Sequence, residues 1–138
     1  GPDAPAPLAR LLTYVEGEVI PNEKPKAEEF LQSIGKLAGR VSAALSGFED
    51  VGAHWTWDWD MKRVPQVVRS KLSFVADPAR RALASRLAEE YEQVLGSGRA
   101  DALPHSIIHA DLNDTNILYA GDEVVGIIDF GDSIYSCT

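Results

Sequence analysis

At 138 residues, with 45% hydrophobic and 25% charged side chains, the chain amounts to one domain of globular protein, not a disordered segment. Its formal net charge of −8 argues against nucleic acid and anionic membrane as partners, and leaves room for a cationic small molecule or an anionic one carried in by metal. No apolar run approaches the length of a membrane span, the opening GPDAPAP shows no secretory signal, and the single cysteine, Cys137, excludes an internal disulfide and fits a reducing, cytoplasmic compartment.

In chain order, GPDAPAP reads as a loop. Leu11 to Val15, rich in branched and aromatic residues and followed by Glu16-Gly17, predicts a strand running into a turn. IPNEKPK, with two prolines, is a linker. From Ala27 the pattern changes: Phe30, Ile34, Leu37, Val41, Ala44 and Phe48 recur three and four apart, one face of a helix that could stop at Gly47. All three tryptophans fall in VGAHWTWDWDMKRVPQVV, an irregular connection leading to a second helix opened by Pro65. A third helix carries full punctuation, with Asp77 as cap, Pro78 in the first turn and Gly96 at the exit; Leu83, Leu87, Tyr91 and Val94 are its expected buried stripe. Three short strands follow, Ser106 to Ile108, Ile117 to Tyr119 and Val124 to Ile128, with the Gly-Asp of AGDE turning a tight hairpin between the last two.

The chemistry concentrates between Ser106 and Ser133, where carboxylates and asparagines crowd around apolar runs. Buried carboxylates are costly unless paired, and a metal ion with a phosphate companion would pair them. His109, Asp111 and Asn116 fit the spacing H-x-D-x-x-x-x-N, and Asp129-Phe130-Gly131 follows thirteen residues after Asn116. Phosphoryl transfer to a hydroxyl needs this set: one carboxylate to take the hydroxyl proton, and an amide oxygen with a second carboxylate to hold Mg²⁺ against the phosphates. The hairpin between the two motifs brings Asn116 and Asp129 back towards each other.

These motifs resemble those of the aminoglycoside phosphotransferase and choline kinase family, which shares the protein-kinase-like fold. Trp59-Asp60-Met61 and His109-Ala-Asp111-Leu-Asn113-Asp114 are most similar to the subgroup of hydroxylysine kinase and of kinase domains fused to aminotransferases. The resemblance implies an α+β fold made mainly of the helical larger lobe: residues 1–20 as tail and hinge strand, 21–138 as part of the catalytic lobe. It implies Asp111 as catalytic base, His109 as the residue that orients the loop, Asn116 and Asp129 as Mg²⁺ ligands, and the backbone of Thr13 and Val15 against the adenine of ATP or its counterpart in GTP. The acceptor would be a hydroxyl on a small metabolite such as hydroxylysine or another amino alcohol, with aminoglycoside, choline, ethanolamine or a sugar as alternatives. A non-catalytic, kinase-like module of a larger protein is the rival. No glycine-rich phosphate loop precedes Leu11, and the chain stops nine residues after Asp129, so it resembles the middle of a kinase, expected to be inactive alone and to self-associate through the bare Leu11 to Val15 edge.

Each site residue also has a plain structural reading. Asp and Asn favour turns and caps, and Asp111, Asn116 and Asp129 singly would be assigned there; together, at this spacing, they point to the kinase. Asn113 and Asp114 could touch substrate or metal, or cap the loop, and Asp132 is divided between the metal and a cap. Trp55, Trp57 and Trp59 are core residues or an aromatic wall for a cationic amine, its charge paired by Asp58 or Asp60. Glu89, Glu90 and Glu92 read as a solvated helix face. Three scattered histidines and one cysteine give no zinc spacing, and Cys137 reads as an ordinary thiol.

Overall fold

The structure, a computed structural model, describes residues 9, 11–20 and 27–138. The expected N-terminal loop and most of the proline linker lie outside those residues. Helices and strands are mixed in one α+β arrangement: β1 (Glu18–Val19), α1 (Glu28–Leu45), α2 (Val64–Lys71), α3 (Pro78–Gly96), β2 (His105–Ile108), β3 (Ile117–Ala120), β4 (Glu123–Ile127) and β5 (Ile134–Cys137). Among the described residues no helix is long and apolar enough to cross a membrane.

Among the described residues two small antiparallel sheets form. One has the order β1-β3-β4; the other pairs β2 with β5. The β3–β4 hairpin turns on Gly121-Asp122, with Ala120 opposite Glu123 and Gly121 at φ 61°, a left-handed conformation that glycine adopts freely. Ile107, Ile117, Leu118 and Ile134 are buried, so each sheet contributes an inward apolar face. α1 lies against both β2 and β4 and ties the sheets together. Its inward face carries Phe30, Ile34, Leu37, Val41 and Leu45, whereas Ala44 and Phe48 are exposed. Phe30 meets Tyr119 of β3 edge-on, with ring centroids 5.9 Å apart. Desolvation, then the charge of Glu18 and the hydrogen bond that Tyr119 Oη donates to it, hold the Tyr119 hydroxyl above its ordinary pKa.

Three expectations need correction. Leu11 to Val15 is not a strand; pairing begins at Glu18, opposite Tyr119. A strand needs a partner edge, and β3 offers its edge only beyond Gly17, where the chain comes so close to the hairpin that a Cβ would sit 3.1 Å from Leu118 Cβ and from the Tyr119 carbonyl oxygen. Leu11 and Leu12 stand exposed, while Val15 fills the space left by the missing side chain of Gly126. Second, the Leu83, Leu87 and Val94 stripe of α3 is about half exposed. α3 packs instead on α2, through the face of Ala84, Ala88, Tyr91 and Leu95, because the small Ala88 lets the helices approach. Third, β5 was not expected from the sequence, although it completes the second sheet with Cys137 opposite His105 and Ile134 opposite Ile108. The caps hold as read: Asp77 Oδ1 accepts from the backbone N–H groups of Ala79 and Arg80, and Pro65 and Pro78 sit in first turns.

α2 and α3 are also clipped by a two-pronged pair from the Arg69 guanidinium to the Glu92 carboxylate. The hydrogen bond to Arg69, ahead of the desolvation that opposes it, holds the Glu92 carboxyl below its ordinary pKa. A lowered folded-state pKa means that the pair stabilises the fold above the ordinary carboxylate range and loses that contribution as pH falls through it. Glu92→Gln is therefore expected to lower the melting temperature at neutral pH. The difference from the parent chain should vanish in melts run at acid pH.

The glycines supply a paired test. Gly17→Ala forces a Cβ into the hairpin backbone and is expected to cost about 1–3 kcal/mol of stability. Gly35→Ala, mid-helix in α1 with nothing within 4 Å of the new carbon, is expected to add about 0.5–1 kcal/mol. Denaturant melts of the two variants should move in opposite directions.

Candidate active site

β2 delivers His109 into a tight loop that ends where β3 begins. His109 is buried, and both ring nitrogens are engaged: Nε2 lies 2.9 Å from the Ile128 carbonyl oxygen, and Nδ1 accepts from the Asp111 backbone N–H at 3.3 Å. A nitrogen that accepts carries no proton, so the ring is the Nε2–H tautomer, donating to Ile128. The ring also packs on Phe130, centroids 4.6 Å apart. One imidazole thus ties the start of the loop to the end of the hairpin.

Between His109 and Asp111, Ala110 takes φ 64°, a left-handed turn that costs a residue with a Cβ about 1–2 kcal/mol and that glycine would adopt freely. The turn presents Asp111. Its Oδ1 accepts from Asn113 Nδ2 at 2.8 Å and its Oδ2 from Asn116 Nδ2 at 2.8 Å, so neutral amides grip both oxygens. Asn113 also caps the loop, its Oδ1 accepting from the Thr115 backbone N–H and hydroxyl. Its loop role is therefore visible. Asp114 contributes its carbonyl oxygen to the Ile20 N–H, tying the loop to the segment after β1.

Asn116 is buried and is the junction of the site. Its Nδ2 donates to Asp111 twice, to the carboxylate and to the backbone oxygen, and its own carbonyl accepts from the Ile128 N–H at 3.0 Å. Because Ile128 precedes Asp129, that last bond draws the second motif up to the first. Asp129 takes φ 62° and ψ 67°, and its Oδ1 accepts from the Gly131 N–H at 3.3 Å. The carboxylates are not buried among the strands, contrary to the sequence impression: Asp111 is half-buried and Asp129 exposed. Among the described residues no lysine or arginine pairs with Asp111, Asp129 or Asp132.

With both Nδ2 bonds directed at Asp111, no described residue donates to Asn116 Oδ1. That oxygen and the Asp129 carboxylate, which no cation pairs among the described residues, are hard donors of the kind Mg²⁺ takes when it keeps several waters and binds phosphate oxygens. No three His, Cys, Asp or Glu side chains gather into a closed metal cage among the described residues, so the donor set fits that open mode and not a structural zinc.

A cavity of about 290 Å³ opens beside the loop, lined by Trp57, Trp59, Ala110, Asp111 and Asp132. Of the three tryptophans, Trp57 and Trp59 reach it, while Trp55 packs on Trp57 with ring centroids 4.7 Å apart and the rings tilted by 41°. The carboxylates named to pair a cation there do not line it: Asp58 pairs with Arg63, and Asp60 Oδ1 accepts from Ser136 Oγ and the Lys62 N–H. Asp132, divided in the sequence between metal and cap, is the carboxylate that does. Thr13 and Val15 are not brought to this cavity; no backbone hydrogen bond among the described residues engages Leu11 to Val15.

Comparison with known proteins agrees with the motif spacing. The chain is similar to the homoserine kinases of Methylocella silvestris (28% identical over 122 residues, 88% of this chain and 36% of that protein) and Rhizobium rhizogenes (30% over 128 residues, 88% and 36%). A shorter stretch of 55 residues is 44% identical to the homoserine kinase of Beijerinckia indica, covering 40% of this chain and 17% of that protein. The chain spans about a third of the length of the curated relatives it matches. The profile of the phosphotransferase enzyme family matches residues 3–136, nearly the whole sequence. The chain belongs to the phosphotransferase enzyme family.

Proposed function

We propose that the protein carrying this chain transfers the γ-phosphoryl group of ATP or GTP to the hydroxyl of a small amino acid with an alcohol side chain. Homoserine, the acceptor in the names of its relatives, is the first candidate, ahead of hydroxylysine. The observation that carries this reading is the Asp111 carboxylate, gripped by two neutral amides and facing a cavity of metabolite size.

In this reading the acceptor hydroxyl sits against Asp111. Its oxygen attacks the γ-phosphorus, the bond to the β-phosphate oxygen breaks, the nucleoside diphosphate leaves, and the hydroxyl proton passes to Asp111. Neutral donors suit such a base because they fix both oxygens without adding a cation that would weaken proton uptake. His109, with both nitrogens committed, is a positioning residue: it holds the Asp111 backbone and the Ile128 carbonyl at a set spacing. Asn116 Oδ1 and Asp129 would hold Mg²⁺, whose charge would offset that of the phosphates. Thr13 and Val15, whose backbone groups meet no hydrogen-bond partner among the described residues, would meet the base of the nucleotide. Trp57, Trp59 and Asp132 would receive the ammonium of the acceptor, ring faces and carboxylate together favouring a cation. The described residues would then form the core of the larger, catalytic lobe of a kinase-like fold.

The test is phosphotransfer by the protein carrying this chain, with homoserine, hydroxylysine, choline and an aminoglycoside as acceptors. Homoserine is expected to give the highest kcat/KM. Asp111→Asn keeps the side-chain shape and should lower kcat by about 10²- to 10⁴-fold with the melting temperature retained. Turnover by that variant at the parent rate would overturn the assignment of the base.

Asp132 is tested through the charge of the acceptor. Asp132→Asn is expected to raise KM for acceptors bearing an ammonium by about tenfold, as loss of a charge-assisted contact does. It should leave KM for the nucleotide unchanged, and steady-state kinetics with each substrate varied in turn checks both.

A further inference from the structure

The segment that carries the tryptophans is fastened to the chain beyond Asp129 by two bonds that span about half the sequence. Trp55 Nε1–H donates to the Ser133 carbonyl oxygen at 3.1 Å, and Ser136 Oγ–H donates to Asp60 Oδ1 at 2.8 Å. Ser136 is only 3% exposed, on the inward face of β5, so its hydroxyl has no water to turn to. The same Asp60 oxygen accepts from the Lys62 N–H at 3.0 Å, and the Asp60 N–H donates to the Trp57 carbonyl oxygen at 3.1 Å, closing the turn that contains Trp57, Asp58 and Trp59. Asp60 therefore shapes the turn with its backbone and fixes it to β5 with its side chain.

Neither Asp60 nor Ser136 lines the cavity, yet both sit one step behind its walls. Trp57 and Trp59 are the far side of the Asp60 turn, and Asp132 lies four residues before Ser136, on the turn that leads into β5. A shift of the turn relative to β5 would move the tryptophans away from Asp111 and Asp132 without touching either carboxylate. We infer that Asp60 and Ser136 are positioning residues for acceptor selection, their hydrogen bond holding Trp57 and Trp59 in register with Asp111 and Asp132. The inference rests on the acceptor reading of the cavity given above.

What is required is a hydrogen-bond acceptor at residue 60 and a hydroxyl at 136, not a charge at 60. Asp60→Asn keeps an acceptor oxygen and Ser136→Thr keeps a hydroxyl; Asp60→Ala and Ser136→Ala remove the bond. The two removing variants are expected to raise acceptor KM by about tenfold while nucleotide KM and kcat stay within about twofold, and the two conservative variants to stay near the parent protein. A general loss of fold would move all the constants and the melting temperature together. An acceptor KM for Ser136→Ala within about twofold of the parent value overturns the inference, as does Asp60→Asn behaving like Asp60→Ala, which would place the Asp60 charge itself on the acceptor. If the parent protein phosphorylates none of the acceptors, the functional reading fails, and acrylamide quenching of the tryptophan emission decides the positioning role by itself. Stronger quenching in Ser136→Ala than in Ser136→Thr supports it, and equal quenching overturns it.

Discussion

The amide group of Asn116 is the constraint on which the site depends. Its Nδ2 reaches back five residues to Asp111, holding both a carboxylate oxygen and a backbone oxygen, while the backbone carbonyl of the same residue receives the Ile128 N–H from the end of the hairpin. A side chain that is buried must satisfy its polar atoms within the protein. Burying an asparagine at the first residue before β3 therefore forces the loop to fold back on it. Once it does, Asp111 has one orientation, and Asp129 is delivered beside the loop. His109 repeats the connection from the other end, through Ile128 O and the Asp111 N–H. The His109 side chain, with the side chain and backbone of Asn116, thus joins the ends of β2, β3 and β4 at one point, although β2 belongs to a different sheet from the other two.

The sequence was most legible where a local rule and a tertiary demand agree. The Asp77-Pro78 start of α3 and the Gly121 turn follow from backbone chemistry that operates within a few residues, and both appear as read. The geometry of the candidate site was legible for a different reason: H-x-D-x-x-x-x-N is a spacing, and the loop that Asn116 closes is what that spacing encodes. Legibility failed where the outcome depended on a distant partner. Leu11 to Val15 has strand composition, yet β3 offers no edge there, so composition alone placed β1 too early. The α3 stripe misled because Ala88, not the leucines, governs how closely α2 can approach. β5 carries no strand signature of its own because its inward positions are Ile134 and Ser136, one apolar and one polar, and the serine is explained by the distant Asp60.

Two left-handed residues, Ala110 and Asp129, flank the functional groups, and neither is a glycine. Each conformation is unfavourable for a residue with a Cβ and persists only because surrounding bonds over-determine it. For Ala110 these are the two His109 contacts on one side and the Asp111 grips on the other. For Asp129 they are the Asn116–Ile128 bond before it and the Gly131 N–H after it. Strain at these points turns the Asp111 and Asp129 side chains out of the sheets in which simple strands would have alternated them. The same placement explains why carboxylates that look buried in the sequence are half-buried or exposed in the fold.

Charge supplies the last link between this geometry and the proposed chemistry. Asp111, Asp129 and Asp132 meet no lysine or arginine among the described residues, and the donors that hold Asp111 are neutral amides. A bare polyphosphate approaching such a surface meets like charge, and the chain's formal net charge of −8 adds to the repulsion. In the proposed chemistry a cation would reverse the sign on each side of the reaction: Mg²⁺ for the phosphates near Asn116 and Asp129, an ammonium for the acceptor near Asp132 and the tryptophans. On this reading the negative field would be the common basis of both binding steps, and Asp111, held in place by neutral amides, would take the hydroxyl proton between them.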